Sequence, residues 1–575
     1  MSDMVTIKID GKKISARSGE NLLAVAKQNN IFIPSLCFHP KLTPTGACRL
    51  CIVKIKDQRG LVPACTVSVS DGMEVTAFDA ELEEARRYLL DYLLSEHNEA
   101  SDNSYDDEFK SLVARYGLDD PAKRQFPSLW KSLGYPIDDS SPVLTYDASK
   151  CVKCFRCIKA CDEVQGKKVL SFANRGITSY VIGGFGVWGE SECDGCGECI
   201  QLCPTGAIVE KPNREVLKTA TAKSKVISTC PYCGVGCQIE MKVKENRIMR
   251  VNGAEGLKPN DGRLCVKGRF GYAYVGSPDR LTRPLIKRNG QFVETGWDDA
   301  LDLVATKFNA IKEKYGNDAL AGYASAKCTN EDNYIFQKFI RTAFGTNNLD
   351  YCTRLCHAST VTAMLRALGD GAGSNSIEDY ETADCILVIG NNMIETHPVT
   401  ATFVKRAVVN GAKLIIIDPK WTPLVKFADV WLQPRLGTDV ALLNGLIRII
   451  ISENLIDEDF IIHRIEGGLQ AFENLKKLAS NYPLEKVTDI TGVASDKLLA
   501  AARFYATANR ALIATGMGIS QQVTGTDSVF SLINMCLITG NIGEIGCGLN
   551  PPRGQNLSLI HISEPTRRRD SARMP

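Results

Sequence analysis

The sequence of 575 residues has little that would direct it to a membrane or to nucleic acid. No stretch reaches about 18 uninterrupted apolar residues, so no membrane-spanning helix is expected. The N-terminal segment MSDMVTIKIDGKK has neither an apolar signal core nor a twin arginine. The formal net charge of +2 gives no reason to expect nucleic acid or an acidic membrane surface as a partner. These absences predict a cytoplasmic protein.

What the sequence does have is cysteine. It contains 22 cysteines, and sixteen of them fall in four groups between Cys37 and Cys265. A disulfide framework is typical of short secreted chains and fits poorly with a long chain that lacks an export signal. Cys-x-x-Cys pairs are also too local to link distant parts of a large core. The grouping therefore predicts metal ligation by thiolates, in a chain whose length allows about four domains.

The first group lies between predicted strands. Alternating residues in VTIKI and CIVKI predict strands, and NLLAVAKQNN between them predicts a helix. Plant-type ferredoxins place four residues between the first two cysteines, whereas this sequence places ten. The wider gap resembles the N-terminal 2Fe–2S domain of the large iron–sulfur subunit of complex I and of iron hydrogenases. Zinc is the alternative. The group consists of Cys37, Cys48, Cys51 and Cys65.

A helical linker is predicted next, over DAELEEARRYLLDYLLSEH, ending near His97. In the families just named, this helix leads into one histidine and three cysteines that hold a further 4Fe–4S cluster. The present sequence continues HNEASDNSYDDE without a cysteine, so that cluster is expected to be absent. His97 is then expected to be an ordinary helix-end histidine, favoured by the helix dipole.

Two near-copies of C-x2-C-x2-C-x3-C form the second and third groups. The repeat is typical of two-cluster bacterial ferredoxins, in which the fourth cysteine of each motif ligates the other cluster. One cluster is expected to use Cys151, Cys154, Cys157 and Cys203. The other is expected to use Cys193, Cys196, Cys199 and Cys161. Between the motifs, Gly184, Gly186 and Gly189 spell G-x-G-x-x-G, but a cluster loop follows instead of a helix, so NAD binding is rejected.

The fourth group has the spacing C-x2-C-x3-C-x27-C and comprises Cys230, Cys233, Cys237 and Cys265. Alternation in QIEMKVKENRIMRVNG predicts a hairpin within the long gap, with its turn at 244–246. The group resembles the 4Fe–4S domain that opens molybdopterin oxidoreductases with two guanine-dinucleotide pterins. The resemblance implies that Lys267 stands between cluster and pterin. The alternative for Lys267 is a solvated surface lysine.

From about residue 281, strands and helices are predicted to alternate. WDDALDLVATKFNAIKEKYG is amphipathic at helical spacing. CILVIG and KLIIID are apolar runs typical of buried parallel strands, and THPVTATFVKRAVVNG between them predicts a helix that ends at Gly411. The ligand site of such a βαβ unit is expected at the carboxyl ends of its strands.

Loops at those strand ends hold candidate pterin contacts. Glycines allow close backbone approach to phosphate, and a carboxylate can bind a nucleobase or ribose. Taken singly these are ordinary loop residues, whereas the ordered set resembles the pterin-dinucleotide contacts of molybdopterin oxidoreductases. The set comprises Gly390, Asn391, Asn392, Asp418, Gly437, Asp439, Gly516, Met517, Gly518 and Gln555.

The motif RLCHAST carries the prediction of the active site. Cys356 and His357 match the positions at which formate dehydrogenases have a cysteine or selenocysteine metal ligand followed by histidine. Nitrate reductases of the same family generally lack that histidine. The remaining cysteines are expected to be small buried hydrophobes, namely Cys328, Cys352, Cys385, Cys536 and Cys547.

The segment PPRGQN matches the arginine motif of the family, in which a guanidinium faces the substrate carboxylate. A planar fork of donors suits a small carboxylate, so Arg553 is the predicted substrate-binding residue. Gln522 is a departure, because the family commonly has histidine there. After Asn556 the resemblance stops, and LSLIHISEPTRRRDSARMP is typical of translated adapter or vector sequence. The chain as written is therefore expected to be catalytically incomplete, with a non-native tail.

The sequence thus predicts a multidomain α+β and α/β fold: a β-grasp ferredoxin, a two-cluster ferredoxin, and an incomplete fold of the dimethyl sulfoxide reductase type. The linker is predicted to lack the ligand set of one histidine and three cysteines. The predicted domains are 1–78 for the 2Fe–2S cluster, 79–140 for the linker, 141–215 for two 4Fe–4S clusters, 224–280 for a further 4Fe–4S cluster, 281–556 for the catalytic region and 557–575 for the tail.

The resemblance implies a reversible reaction in which formate is oxidised to carbon dioxide. Molybdenum or tungsten, held by two molybdopterin guanine dinucleotides and Cys356, accepts the electrons, and His357 accepts the proton. One 2Fe–2S and three 4Fe–4S clusters then pass electrons to a flavin NAD(P) subunit, a hydrogenase subunit or a ferredoxin. The alternatives are a non-catalytic iron–sulfur subunit like that of complex I, and a nitrate reductase.

Overall fold

The computed structural model describes residues 4–99, 107–211, 224–554 and 572–573. The chain divides into two compact units. The first contains Met1–Ser228, Ile239–Gly256 and Asp261–Ala273, and the second contains Thr229–Gln238, Leu257–Asn260 and Tyr274–Pro575. Over the described ranges, no helix combines the length and the apolar character needed to span a bilayer. The predicted tail, 557–575, lies outside the described residues except for the strand Ala572–Arg573.

The first unit begins with a five-stranded mixed sheet that packs on one helix. The helix, Leu22–Gln28, begins where the Asn21 side chain accepts a hydrogen bond from the Ala24 backbone N–H. Alternate residues of the first strand are buried, which is the pattern that a half-buried strand requires. The predicted strands and helix are confirmed. The strands, in their order across the sheet, are Lys12–Arg17, Met4–Ile9, Glu74–Thr76, Ile52–Ile55 and Val62–Pro63.

The linker contains the helices Ala80–Ser95 and Glu108–Arg115. The first confirms the predicted helix, but the expectation for His97 was wrong. Its ring is buried and packs edge-on against Phe109, with centroids 4.8 Å apart. Burial lowers the pKa of His97 to about 4, so the imidazole is neutral near neutral pH and cannot act as a cation at a helix end.

The ferredoxin region is built from short elements around two cysteine motifs. Trp188 is fully buried and stacks on Tyr146, with ring centroids 5.5 Å apart. The G-x-G-x-x-G segment follows a strand of an antiparallel hairpin, and the next α-helix begins only at Glu198. A dinucleotide-binding βαβ unit is therefore not formed there, as predicted. The elements are Ile137–Asp138, Leu144–Asp147, Arg156–Lys159, Leu170–Ala173, Tyr180–Gly183, Glu198–Gln201 and Ile208–Glu210.

The predicted hairpin in the fourth cysteine group is confirmed. Its strands, Gln238–Lys244 and Arg247–Gly253, pair antiparallel, and Ser224–Thr229 adds a third strand. Glu245 and Asn246 both have positive φ, at 49° and 59°. Two consecutive residues of this conformation form the tight turn that matches the twist of a hairpin.

The second unit is organised around a parallel five-stranded sheet. Every residue of the strands Cys385–Ile389 and Ala511–Thr515 is buried, because helices cover both faces. The chain first runs outward from the central strand and then returns to pair on its other side. The predicted βαβ unit is thereby confirmed. The strand order is Val430–Leu432, Lys413–Ile417, Cys385–Ile389, Ala511–Thr515 and Gly548–Asn550.

Helices complete the second unit. The predicted helices at Trp297–Tyr315 and Pro398–Val409 are confirmed, and Gly411 follows the latter with a φ of 105°. The remaining longer helices are Asn330–Phe339, Ala358–Leu368, Asp439–Ser452, Glu458–Arg464, Gly468–Ala479, Leu484–Thr491, Ser495–Ala506 and Gly525–Ile538. Two small sheets pair Leu285–Arg288 with Gln291–Glu294 and Gly322–Ala324 with Leu349–Tyr351.

Candidate functional site

The four thiols of the first cysteine group meet in one place. The Cys48 thiol donates to Cys37 Sγ at 3.5 Å, and Cys65 lies within hydrogen-bonding reach of both Cys37 and Cys51. The hydrogen bonds from Cys48 and Cys65 lower the pKa of Cys37 to about 2. No disulfide joins any of the 22 cysteines, all of which are described. Within the described ranges, no three His, Cys, Asp or Glu side chains are placed to hold a single metal ion.

The ferredoxin cysteines meet in the crossed sets that the sequence predicts. One small cavity is lined by the first three thiols of the first motif, Cys151, Cys154 and Cys157, together with Cys203, which belongs to the second motif. Burial, followed by the charges of Cys196, Cys193 and Cys161, raises the pKa of the Cys199 thiol. Cys161 of the first motif is thus close to the second set. Cluster iron stabilises the thiolates of such a site, so the donor set fits 4Fe–4S clusters.

The two motifs fold with the same backbone. Lys153 and Phe155 have positive φ in the first copy, at 53° and 69°, and Gly195 and Gly197 have positive φ in the second, at 67° and 71°. Alternation of left-handed residues turns successive backbone N–H groups inward, which favours a negatively charged cluster. The repeat in sequence is therefore a repeat in structure.

The fourth group is divided between the two units. Cys230, Cys233 and Cys237 lie in a tight loop of the second unit, in which the Cys230 backbone N–H donates to Cys237 O at 2.8 Å. Cys265 precedes the helix Val266–Phe270 in the first unit. Lys267 is exposed in that helix. Its predicted role remains a prediction, as does ligation by this group.

Cys356 and His357 lie at the junction of the helices Thr353–Cys356 and Ala358–Leu368. The Cys356 carbonyl accepts a hydrogen bond from Ser520 Oγ at 2.7 Å. His357 is 2% exposed, and its Nδ1 is buried without a hydrogen-bond partner among the residues that the structure describes. Burial, then the charge of Arg553, lowers the pKa of His357 to about 4. A neutral imidazole with an unused nitrogen is a proton acceptor.

Arg553 reaches the same site from a distant part of the chain and is 5% exposed. Its Nη2 donates to Gly371 O at 2.6 Å, whereas its Nη1 is buried and has no partner within the described part of the chain. The Arg553 carbonyl accepts from Gly234 N and lies against His397 Nε2, both at 2.9 Å. A Cβ on Gly234 would overlap that carbonyl. The backbone of Arg553 is fixed, and its guanidinium has a donor to spare.

Two cavities of about 350 and 610 Å³ share Arg553 in their walls. These volumes are typical of sites for sizeable organic ligands. His397 and Asn550 line the smaller cavity, and Asn550 Nδ2 is buried without a partner among the described residues. The larger cavity is bordered by Tyr351 and Cys328. Unpaired buried donors beside empty volume fit a polar cofactor, because such groups are costly to leave unsatisfied.

The strand-end loops meet at the switch point of the sheet, where later strands are added on the opposite side of the central strand Cys385–Ile389. Gly516 N donates to Ile389 O at 3.1 Å, Gly518 N to Gly390 O at 3.0 Å, and Asn391 Nδ2 to Thr515 O at 3.1 Å. A Cβ on Gly390 or Gly518 would lie within 3 Å of the facing loop, so only glycine allows this contact. Switch points of this kind are where open parallel sheets bind ligands.

The remaining predicted contacts surround these loops. Burial raises the pKa values of Asp418 and Asp439, and Gln522 lies within hydrogen-bonding reach of Asp439. Asn392 Oδ1 is buried without a described partner. Gly437 and Met517 are exposed, and Gln555 lies outside the described residues. Backbone amides, side-chain amides and carboxylates together suit phosphate, pterin and guanine groups.

One expectation for the other cysteines was wrong. Cys385, Cys536 and Cys547 are buried as expected, and Cys352 is half-buried with its Sγ accepting from Ala326 N at 3.2 Å. Cys328 is exposed, because it lies in the loop before the helix Asn330–Phe339 instead of under it. Sequence reasoning also missed His397 and Gly234. The polar segment that follows Ile389 at a strand end was the available signal for His397.

Family models match four parts of the chain. They are described as a 2Fe-2S iron-sulfur cluster binding domain at 2–79, the ferredoxin-like domain of NADH-quinone oxidoreductase subunit 3 at 141–209, the molybdopterin oxidoreductase Fe4S4 domain at 223–277, and molybdopterin oxidoreductase at 280–567. The last covers half of the chain. These matches account for 2Fe–2S, 4Fe–4S and molybdopterin-binding regions.

Relatives agree with the family models. The chain is 47% identical over 333 residues to the alpha subunit of an F420-dependent formate dehydrogenase of Methanocaldococcus jannaschii, covering 58% of the chain and 48% of that protein. It is 32% identical to a probable oxidoreductase of Bacillus subtilis, covering 97% of the chain and 60% of that protein. Acetylene hydratase from Pelobacter acetylenicus aligns with a TM-score of 0.49 at 26% identity, covering 56% of the chain and 44% of that structure.

The chain spans at most about 60% of the length of these curated relatives. The matched domains identify an oxidoreductase with a fold of the dimethyl sulfoxide reductase type. The parallel sheet, with glycine loops at its switch point, agrees with this fold. The chain belongs to the molybdopterin oxidoreductase family.

Proposed function

We propose that the chain is the catalytic subunit of a formate dehydrogenase, which oxidises formate to carbon dioxide and passes the electrons to a partner protein. The observation that carries the proposal is the convergence of Cys356, His357 and Arg553, with His357 Nδ1 and Arg553 Nη1 buried and unpaired in the described ranges. The identity to an F420-dependent formate dehydrogenase supports the choice of substrate.

The cofactor would be molybdenum or tungsten with two molybdopterin guanine dinucleotides, and it supplies the two-electron acceptor. Cys356 would provide the protein ligand. Burial raises the pKa of this thiol, while the nearby positive charge of Arg553 lowers it. The glycine loops after Ile389 and Thr515, with Asp418 and Asp439, would hold the dinucleotides.

Arg553 would bind and orient formate. Its Nη2 is engaged by Gly371 O, which leaves Nη1 to donate to one carboxylate oxygen. Since the side chain is almost fully buried, a hydrogen bond to an anion there is stronger than the same bond in water. The main-chain contacts of Arg553 with Gly234 and His397 fix the position from which it donates.

His357 would take up the proton that formate releases when it loses two electrons and becomes carbon dioxide. The imidazole is neutral above about pH 4 because burial and Arg553 lower its pKa. Nδ1 has no partner among the described residues and is the atom available to receive the proton.

One 2Fe–2S and three 4Fe–4S clusters would supply one-electron carriers between this site and the partner. The sixteen grouped cysteines would hold them, and Lys267 would lie along the route. The partner would be a flavin NAD(P) subunit, a hydrogenase subunit or a ferredoxin. The domains would have the boundaries 1–78, 79–140, 141–215, 224–280 and 281–556, followed by the tail at 557–575.

The test measures dye-linked oxidation of formate by the cofactor-loaded protein, with nitrate reduction by reduced dye as the parallel assay. We expect turnover of formate that depends on Arg553 and His357. Turnover of nitrate alone would contradict the proposal in favour of a nitrate reductase. Iron without molybdenum or tungsten, in a protein active with neither substrate, would instead indicate a non-catalytic electron-transfer subunit.

A further inference from the structure

The two ferredoxin motifs share a backbone conformation but have buried residues of opposite charge at one equivalent position. The residue before the third cysteine is Arg156 in the first copy and Glu198 in the second, and these residues are 4% and 1% exposed. Buried charges are costly unless paired. Each of these charges has a partner of opposite sign outside its own motif.

Arg156 connects the first motif to the 2Fe–2S cysteine group. Its Nη2 donates to Phe38 O at 2.8 Å, and Phe38 follows Cys37 in the chain. Both terminal nitrogens also reach the Glu108 carboxylate, at 2.7 and 2.9 Å. The Glu108 side chain is 50% exposed, so water partly screens its charge at the cluster, whereas the guanidinium is buried beside the cluster ligands. Arg156 Nε is buried without a described partner.

Arg269 makes the matching connection at the second motif. Its Nε donates to Cys196 O at 2.7 Å, and its remaining nitrogens reach Gln201 and the Glu198 carboxylate. Arg269 lies one turn after Cys265, whose carbonyl accepts from the Arg269 backbone N–H at 3.1 Å. A Cβ on Gly197 would overlap the Arg269 side chain, so the cluster loop closes directly around it.

We propose that Arg156 and Arg269 are positioning residues of the electron relay. Each fixes a loop of one ferredoxin motif against a neighbouring cysteine group, and each, as a buried cation, raises the reduction potential of the cluster beside it. The inference rests on the proposed iron–sulfur ligation but not on formate as substrate. It assigns a role to two arginines that the active-site chemistry does not use.

The physical reason is the sign of the charge that reduction adds. A reduced cluster is one unit more negative than an oxidised one, and a nearby buried cation stabilises it. Hydrogen bonds and net charge near the sulfurs are among the main determinants of cluster potentials. Arg keeps its charge at every accessible pH. At the second motif the buried Glu198 carboxylate pairs with Arg269 and offsets part of that charge.

The test is a redox titration of the cluster-loaded full chain, followed by electron paramagnetic resonance with a chemical reductant and no formate. Arg156→Gln and Arg269→Gln are expected to lower the midpoint potentials of two different 4Fe–4S signals. A tenfold fall in each reduction equilibrium constant is expected, which is about 59 mV for a one-electron couple. Arg175→Gln, which removes an exposed arginine from the same region, is the matched control.

Unchanged potentials in both variants, at the iron content of the control, would overturn the proposal. Glu108→Gln keeps both arginines and every cysteine, and it removes only the half-exposed counter-charge of Arg156. It is therefore expected to raise the potential that Arg156→Gln lowers. If the glutamine variants at the arginines lose iron, a Glu108→Gln protein with an unmoved potential overturns the proposal by itself. Because no formate is used, these outcomes are independent of the formate assay.

Discussion

The cysteine centres of the first unit and the strand-end site of the second unit present their reactive atoms in different ways. In the ferredoxin region, short loops with left-handed residues turn several thiols of one motif into a common space. In the second unit, Cys356 and His357 come from one helix junction and Arg553 from a distant segment, and Arg553 is tied to Gly371 across 182 residues of sequence. The first arrangement is encoded locally, whereas the second depends on the registration of the whole sheet.

This difference teaches where each site is vulnerable. A cluster site loses its function when a ligand is removed, because the cysteine thiols bind the cluster directly. The strand-end site can lose function through backbone contacts alone, since Gly234 N and His397 Nε2 both contact the backbone carbonyl of Arg553. A change of about 1 Å in the position of a reactive group can cost about 100-fold in rate.

The largest expected effect tests which cysteines share a cluster, and so how locally the cluster sites are encoded. Cys203→Ser is expected to abolish or transform the same paramagnetic signal as Cys154→Ser, because both thiols line one cavity. Cys161→Ser should instead affect the signal that Cys196→Ser affects. Cys547→Ser, at a buried cysteine outside the four groups, is the control. Signals that pair Cys203 with Cys196 would contradict the crossed arrangement.

The next largest effect concerns the long-range contact. Arg553→Met is expected to lower kcat/KM for formate by about 1000-fold, the order observed when a preorganised donor to a reacting anion is removed. Iron content and paramagnetic signals should stay unchanged. Arg503→Met removes an arginine that pairs with Glu453 at the surface, and it should leave the rate intact. Equal rates in the two variants would mean that Arg553 does not bind formate.

A smaller effect is expected at His357. Replacing it with Gln should lower the rate of formate oxidation by about 100-fold, the low end for loss of a general base. The lowered pKa of about 4 means that wild-type activity should be independent of this group above that pH and should fall as the pH drops through it. His463→Gln, at a residue whose side chain is 68% exposed, is the control. An unchanged rate in His357→Gln would exclude a role as proton acceptor.

The smallest effect sharpens the comparison most directly, because it alters no reactive side chain. Gly234→Ala is expected to displace the Arg553 carbonyl and to lower kcat/KM by about tenfold to 100-fold. Gly276→Ala, where a Cβ would meet no atom within 4 Å, is the matched control. Equal activity of the two variants would show that backbone registration does not control the site.

Local features were predicted well from the sequence for a physical reason. Strands such as Cys385–Ile389 are apolar on both faces because helices cover both, and that pattern is legible without coordinates. Cysteine spacing is equally legible, since a cluster imposes its geometry on a short loop. The convergence of Cys203 with the first motif followed from the same duplicated spacing.

What could not be predicted depends on contacts far apart in the chain. His97 was expected to be an ordinary helix-end histidine favoured by the helix dipole, whereas burial of its ring, which packs against Phe109, lowers its pKa to about 4. The exposure of Cys328 depends on how the rest of the chain packs around its loop, which the local sequence does not encode. The anchoring of Arg553 by Gly234 and His397 joins three loops whose proximity no local pattern encodes.

The stacked pair of Trp188 and Tyr146 gives the protein an intrinsic optical reporter. Of the five tryptophans, all of which are described, only Trp188 is fully buried, and Tyr146 beside it lines the cavity that contains Cys151 and Cys203. Emission from an indole in apolar surroundings occurs at shorter wavelengths than emission from hydrated tryptophans. An iron–sulfur cluster bound in that cavity would quench the short-wavelength component selectively. Fluorescence therefore offers a way to follow cofactor loading at one defined centre while the rest of the spectrum serves as the reference.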